Sequence, residues 1–456
     1  MGRIWAVARN TISQALHMKV ALVVIVMLVI LLPLMGIVMG GDGTLKGKLQ
    51  TFVSYGLSLT SLLLCILTIA VSTHTLTEEI KRKQIFLALT KPVHRYEILA
   101  GKFLGIVILD VFLLAFFGAV IFGFTRFMPK MVKADEKEVA KANDTFFTSR
   151  AVLTDPIDMD AVRKNVEIEF ARRVKEGVIP AEMTIASAKS VKQSIMAEER
   201  GKIVNIQPGG SRVWRFKNVR PKNPDEQLFV QYKLESVSPG IDKLYSYWQV
   251  GDDRAAIQDI KTRIGYYQST DPIRTVQEFE FPSELISTDE EGYVSVSLFN
   301  PFANRTVIVA KEVKLLYRAG SFAGNYIRSM GVILTRLVFL AALGVSVSTW
   351  LSFPVAILVC LVVFFTGTVN GFIVEAIEGL GQGMAIFYTL TIRPLLWFLP
   401  VFDGEFNPTP YMVSGEFLKW STLGRIFLVT GFVKSSVLIL LGILIFHKRE
   451  IAKITV

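Results

Sequence analysis

The feature that most constrains this chain is a set of apolar runs, each near the length of a bilayer crossing. They fall at 20–38, 54–73, 103–125, 330–350, 354–374 and 426–446. A hydrocarbon core is about 30 Å thick, and about 20 apolar residues cross it as a helix. Lipid cannot hydrogen-bond a backbone amide, so each run must satisfy its own amides, as a helix does. The expected fold is an α-helical integral membrane protein with six transmembrane helices. Composition agrees: of 456 residues 51% are hydrophobic, and the mean hydropathy is +0.45.

The net charge of +11 points to the membrane and not to nucleic acid. Segment 126–328 is nearly balanced, with 31 Lys and Arg against 28 Asp and Glu. The rest of the chain holds 19 basic and 11 acidic residues, and its basic residues cluster beside the apolar runs. Basic flanks mark the cytoplasmic side of a span. They lie before the first run, between the second and third, and after the last (HKREIAK). Six crossings with both termini cytoplasmic satisfy all three clusters. Segment 126–328 then lies outside, in a bacterium the periplasm, and the expected location is the bacterial inner membrane.

Residues 1–19 read as an amphipathic helix, with Ile4, Trp5, Ala8, Ile12, Ala15 and Leu16 at helical spacing. Such a helix lies in the membrane interface. The run Val20–Val38 is longer than the apolar region of a signal peptide, and no A-x-A site follows, so it reads as a retained helix. Residues 20–125 hold the first three spans, with a cytoplasmic loop over 74–102. Residues 126–200 are charged and helix-patterned, a predicted stalk. Residues 201–328 hold short aromatic and β-branched runs separated by Pro, Gly, Asn and Asp, which predicts an antiparallel β-sandwich. Residues 329–456 hold the last three spans, and 375–425 reads as an external re-entrant segment. The fold class is thus a membrane protein with an inserted α+β periplasmic domain.

The loop carries the most specific pattern. Glu78, Glu79, Lys81, Arg82 and Lys83 form a charged helical turn, followed by apolar Ile85, Phe86, Leu87 and Leu89. Pro92 breaks the helix at Lys91, because proline disfavours helix in the residue before it. Val93, His94, Arg95, Tyr96 and Glu97 begin a second helix. A short helix there can seat in a soluble partner and carry its motion to the spans. Alternatively, the loop only fixes topology through lipid headgroups.

Together, Glu78 or Glu79, Leu89, Pro92, Val93, Arg95, Glu97, Gly101 and Lys102 resemble the intracellular loop of ABC-2 type transporter permeases. The amphipathic start, the closing IFHKREI and the position of 375–425 also resemble that family. The branch implied is one with a large periplasmic insertion. The resemblance implies a dimeric membrane half, from two copies or one copy with a related permease, paired with an ABC ATPase subunit. ATP and Mg would sit in that partner, and this chain would hold no cofactor and no catalytic residue. Residues 92–97 would be the coupling helix, and Glu78, Glu79 and Lys83 would join it in contacting the ATPase. The implied function is an exporter permease. The alternatives are a membrane-anchored periplasmic binding or scaffold protein, and an ABC-driven mechanotransmitter that moves periplasmic partner proteins without transport.

Other motifs weigh less. GDGTLKGK at 41–48 has Asp42 at the first glycine position of a P-loop and Leu49 in place of Ser or Thr, so it reads as a linker. The four histidines and two cysteines have no metal-ligand spacing. Asp110, Arg336 and Lys434 interrupt apolar runs, and intramembrane charges usually face the protein interior. An Asp110–Arg336 or Asp110–Lys434 contact would set helix packing, the expected role, or alternatively line a substrate path. Tyr245, Tyr247 and Trp248 are candidate ligand aromatics for a sugar, set against the commoner reading as core.

Overall fold

A computed structural model describes residues 2–38, 43–81, 94–132, 134–180, 184–221, 226–254, 263–287, 292–371, 373, 391 and 399–448. These form two compact units. The first comprises Met1–Ser149 and Gly320–Val456, and the second comprises Arg150–Ala319.

The first unit is helical: α1 (Gly2–Leu16), α2 (Lys19–Val38), α3 (Leu45–Lys81), α4 (Arg95–Met131), α5 (Glu136–Thr145), α8 (Phe322–Val347), α9 (Phe353–Thr368), α10 (Pro408–Val413) and α11 (Trp420–Lys448). The intervening α6 and α7 belong to the second unit. Among the described residues five helices, namely α2, α3, α4, α8 and α11, are long and apolar enough to cross a membrane. The chain is therefore a multi-pass membrane protein. The fifth expected span, 354–374, corresponds to α9, an apolar helix of 16 residues. The fourth begins at Phe322 and not near 330, because Ser321 caps it and accepts a hydrogen bond from Gly324 N. Much of the expected re-entrant segment, at 375–390 and 392–398, lies outside the described residues.

α3 and α4 each have 37 residues. At 1.5 Å per residue each is about 55 Å long, well beyond a hydrocarbon core of about 30 Å. Apolar surface gains little by leaving lipid for protein, so spans associate through close packing and polar contacts. The contacts fit this rule. A Cβ on Gly442 would lie 2.9 Å from Ser346 Oγ, and one on Gly344 would meet the Ser72 side chain. Within α11, Phe427–Lys434 adopts π-helical bonding.

The second unit holds α6 (Met159–Lys175), α7 (Ile185–Val204) and two antiparallel sheets. One sheet runs β1 (Thr148–Thr154), β9 (Ile308–Ser321), β4 (Gln227–Ser236), β7 (Val276–Pro282), with β2 (Asn205–Ile206) also on β9. The other runs β3 (Ser211–Phe216), β8 (Val294–Phe299), β5 (Lys243–Gly251), β6 (Gly265–Pro272). Trp214, Trp248, Val296 and Leu298 from one sheet share a single core with Leu228, Val230, Phe281 and Leu315 from the other. α6 and α7 pack through Val162, Val166 and Ile195, and an Arg173–Glu198 ion pair of 2.5 Å joins their surfaces.

The predicted stalk over 126–200 needs correction. Its first residues complete α4, and Ala142 of α5 with the adjacent Phe146 packs into the core of the first unit. Within it lies β1, a strand of the first sheet. The charges that gave 131–200 a helical pattern flank that short strand and hid it.

Candidate functional site

The helices on either side of residues 82–93 are tied together at their bases. Lys102 on α4 is 1% exposed, and its Nζ lies 2.9 Å from Glu79 Oε2 on α3. The same ammonium donates to Thr75 O at 3.2 Å. Glu79 also accepts from Gln14 Nε2 on α1 at 3.1 Å. A buried ammonium with two acceptors is a compensated charge; without the carboxylate it is costly.

α1 reaches this cluster because α4 leaves room for it. A Cβ on Gly101 would lie 2.6 Å from Val7 Cβ, and one on Gly105 would lie 2.6 Å from Ala8 O. Glycines four apart present a smooth helix face against which another backbone can lie. Ala8, Thr11 and Ala15 are the buried side of α1, while Trp5 is 57% exposed.

The first turn of α4 divides by exposure. Arg95 Nη1 donates to Phe446 O at 2.7 Å and His447 O at 3.0 Å, which fixes the end of α11. Glu97 accepts from His94 N at 2.8 Å and faces Arg3 at 4.0 Å. His94 and Tyr96 are exposed, and their rings stack 5.5 Å apart. Of the expected coupling residues, Lys83, Pro92 and Val93 lie outside the described residues. Glu79, Arg95 and Glu97 make internal ties, and His94 and Tyr96 provide surface. Glu78 lies in the last turn of α3 beside Glu79 and is itself partnered.

Above this base a polar stripe runs up α3. Ser61, Cys65, Thr68, Ser72, Thr75 and Glu79 recur three and four apart, on one helix face. Thr68 Oγ1 donates to Asp110 Oδ1 at 2.8 Å. Asp110 is 1% exposed, and its Oδ2 has no partner among the described residues. Arg336 donates to Ser61 Oγ at 3.3 Å, Phe402 O at 2.8 Å and Phe406 O at 3.3 Å. Lys434 Nζ donates to Leu399 O at 2.8 Å. The two pairings considered for Asp110 are therefore absent among the described residues. Backbone carbonyls of 399–406 take the two cations, and a threonine takes the carboxylate.

The candidate ligand aromatics separate by strand parity. β5 alternates inward and outward. Tyr245 and Tyr247 point out, 47% and 40% exposed, while Trp248 is 1% exposed. Trp248 lies 4.4 Å from the Tyr232 ring in the sheet core. Trp248 is thus a core residue and not a surface ligand contact. Tyr266 and Phe299 are exposed on the strands flanking β5 and share the outer face with Tyr247.

The sequence reading missed Gln14, Thr68, Ser61 and the Gly101–Gly105 face. The glycine spacing in GKFLG was readable as a helix-packing signal. The Ser and Thr residues had no separate signal, since Thr and Ser are common in spans. Among the described residues no three His, Cys, Asp or Glu side chains group as a metal-ligand set.

Residues 5–162 match the model of a family described as ABC-2 family transporter protein. No curated protein and no solved structure matches the chain.

Proposed function

We infer, because the chain belongs to the ABC-2 transporter family, that it is the membrane-spanning permease subunit of an exporter driven by a separate ATP-binding subunit. The observation that supports this reading most directly is the base of α3 and α4. A motor that pushes on residues 82–97 needs a stiff connection to the spans. The buried Glu79–Lys102 pair, the α1 seat on Gly101 and Gly105, and the Arg95 bonds to the end of α11 supply one. Coupling of this kind rests on packed elements that move as bodies.

In this reading the α4 base faces the cytoplasm, both termini are cytoplasmic, and Arg150–Ala319 lies in the periplasm of a bacterial inner membrane. Two permease copies, or one with a related permease, pair with two ATPase subunits. Nucleotide and Mg bind in the ATPase, and this chain performs no chemistry. His94 and Tyr96 are the contact surface, and Arg95 and Glu97 are the supports beneath it. The periplasmic unit receives cargo or docks a periplasmic partner.

The test is affinity purification from the native membrane in mild detergent. The wild type should retain an ATP-binding-cassette ATPase, and His94→Glu with Tyr96→Glu should release it while the permease remains folded and dimeric. A wild type that retains no such ATPase with its dimer intact refutes the reading and favours a membrane-anchored periplasmic scaffold. Retention of the ATPase with no cargo movement in vesicles favours a mechanotransmitter.

A further inference from the structure

An apolar groove runs between α4 and α8, with a volume of 540 Å³. Its floor exists because small residues meet there: Ala115, Gly118 and Ala119 on α4, Ala323 and Gly331 on α8. Tyr326, the polar side chain in the lining, has its hydroxyl committed to Gly118 O at 2.7 Å. The remaining lining offers no charge and no free hydrogen-bond group, so the occupant is a hydrocarbon.

The length of the groove narrows the occupant further. Along α4 the groove runs from Val111 to Phe122, about 17 Å at 1.5 Å per residue. That is about half of a hydrocarbon core of about 30 Å, the depth of one leaflet and so the reach of a lipid acyl chain.

The mouth of the groove carries charge. Arg126 follows Phe122 by four residues on the same face of α4, about 6 Å further along, and Lys130 lies one turn beyond. Both are exposed, and neither is ion-paired among the described residues. The Arg126 guanidinium sits 5.2 Å over the Phe147 ring, which holds it near the groove end. Phe122, Phe147, Phe322 and Tyr326 surround that end, as aromatic side chains do at a membrane interface.

We propose that this groove is a binding site for one anionic phospholipid of the leaflet opposite residues 82–93. Its acyl chains fill the α4–α8 groove, and its phosphate and anionic headgroup meet Arg126 and Lys130. The site depends on the chain spanning a membrane and not on transport or on an ATPase.

Native mass spectrometry of the full chain in detergent tests it, with palmitoyl-oleoyl phosphatidylglycerol and phosphatidylcholine as probes. The wild type should hold one phosphatidylglycerol per chain, with a preference of about tenfold over phosphatidylcholine. Arg126→Glu with Lys130→Glu should abolish the preference. Ala115→Phe with Ala119→Phe, at two groove positions that are exposed and outside the core, should abolish both adducts and leave the oligomeric mass unchanged. Equal binding of both lipids by the wild type overturns the headgroup assignment. Lipid retained by the filled groove, or a change in oligomeric mass in its place, overturns the site, and the mass change would make the occupant a second copy of the chain.

Discussion

Lys102 Nζ and Glu79 Oε2 are 2.9 Å apart at a point where Lys102 is 1% exposed, so a buried ion pair closes the gap between two helices that leave residues 82–93 between them. Sequence distance is short here, but the pair is not a loop feature. It joins the end of one long span to the start of the next.

Removing one partner is therefore expected to cost more than removing both. Glu79→Gln should destabilise the protein by about 3–5 kcal/mol, because it leaves an ammonium buried without its counter-charge. Glu79→Gln with Lys102→Met should recover most of that loss. Thermal unfolding of the three proteins in one detergent measures this. A double variant no more stable than the single would assign the effect to lost packing.

The seat of α1 is equally open to test. Gly105→Val would drive a side chain into Ala8 O, 2.6 Å from the position of a Cβ. We expect α1 to lift from α4. Ala8 is 0% exposed, so a cysteine placed there should resist maleimide in the parent and react in the Gly105→Val background. Equal labelling in both would mean that α1 does not depend on the glycine face.

At Asp110 the expected outcome is tolerance of the amide. Asp110→Asn keeps an acceptor for Thr68 Oγ1 and nearly the same side-chain shape, so stability should change by about 1 kcal/mol or less. Asp110→Lys combined with Lys434→Asp should show no rescue relative to the sum of the single changes, since the two residues have separate partners. Rescue in that double-mutant cycle would restore the direct pairing.

In the second unit, Tyr232 sets an alkaline limit. Burial, and then the nearby Asp271 that accepts from its hydroxyl at 2.8 Å, raise its pKa above the ordinary tyrosine value. An unfolded tyrosine ionises near pH 10. Below that pH both states keep the proton and the stabilisation is complete. As pH rises past about 10 the unfolded state ionises first, and stability falls until the folded-state pKa is reached. Tyr232→Phe should flatten this alkaline decline, measured as the transition temperature of the full chain from pH 8 to pH 11. An unchanged slope would place the decline on other groups.

Much of the architecture was legible in the chain. The apolar runs gave α2, α3, α4, α8 and α11, because a span must be long and apolar whatever it packs against. The short aromatic and β-branched runs marked β3, β4, β5, β7, β8 and β9, but not β2 or β6. β1 escaped because Thr148–Thr154 is a single short strand among charged helices, and its partner β9 lies far along the chain. Trp248 illustrates the limit of pattern at a single residue. Period two tells that Tyr247 and Trp248 face opposite ways, but not which face is core.

The sequence alone determined that this is a multi-pass membrane protein with an inserted domain, and its 5–162 region carries the ABC-2 family pattern. Those properties follow from local composition and spacing, and lipid enforces them on each segment separately. The tertiary structure alone decided which polar groups meet. Glu79 with Lys102, Thr68 with Asp110 and Arg336 with the carbonyls of Phe402 and Phe406 are choices among many partners of similar chemistry. Each charge in a span needs some compensation, but only the packing of whole helices brings one particular donor to one particular acceptor.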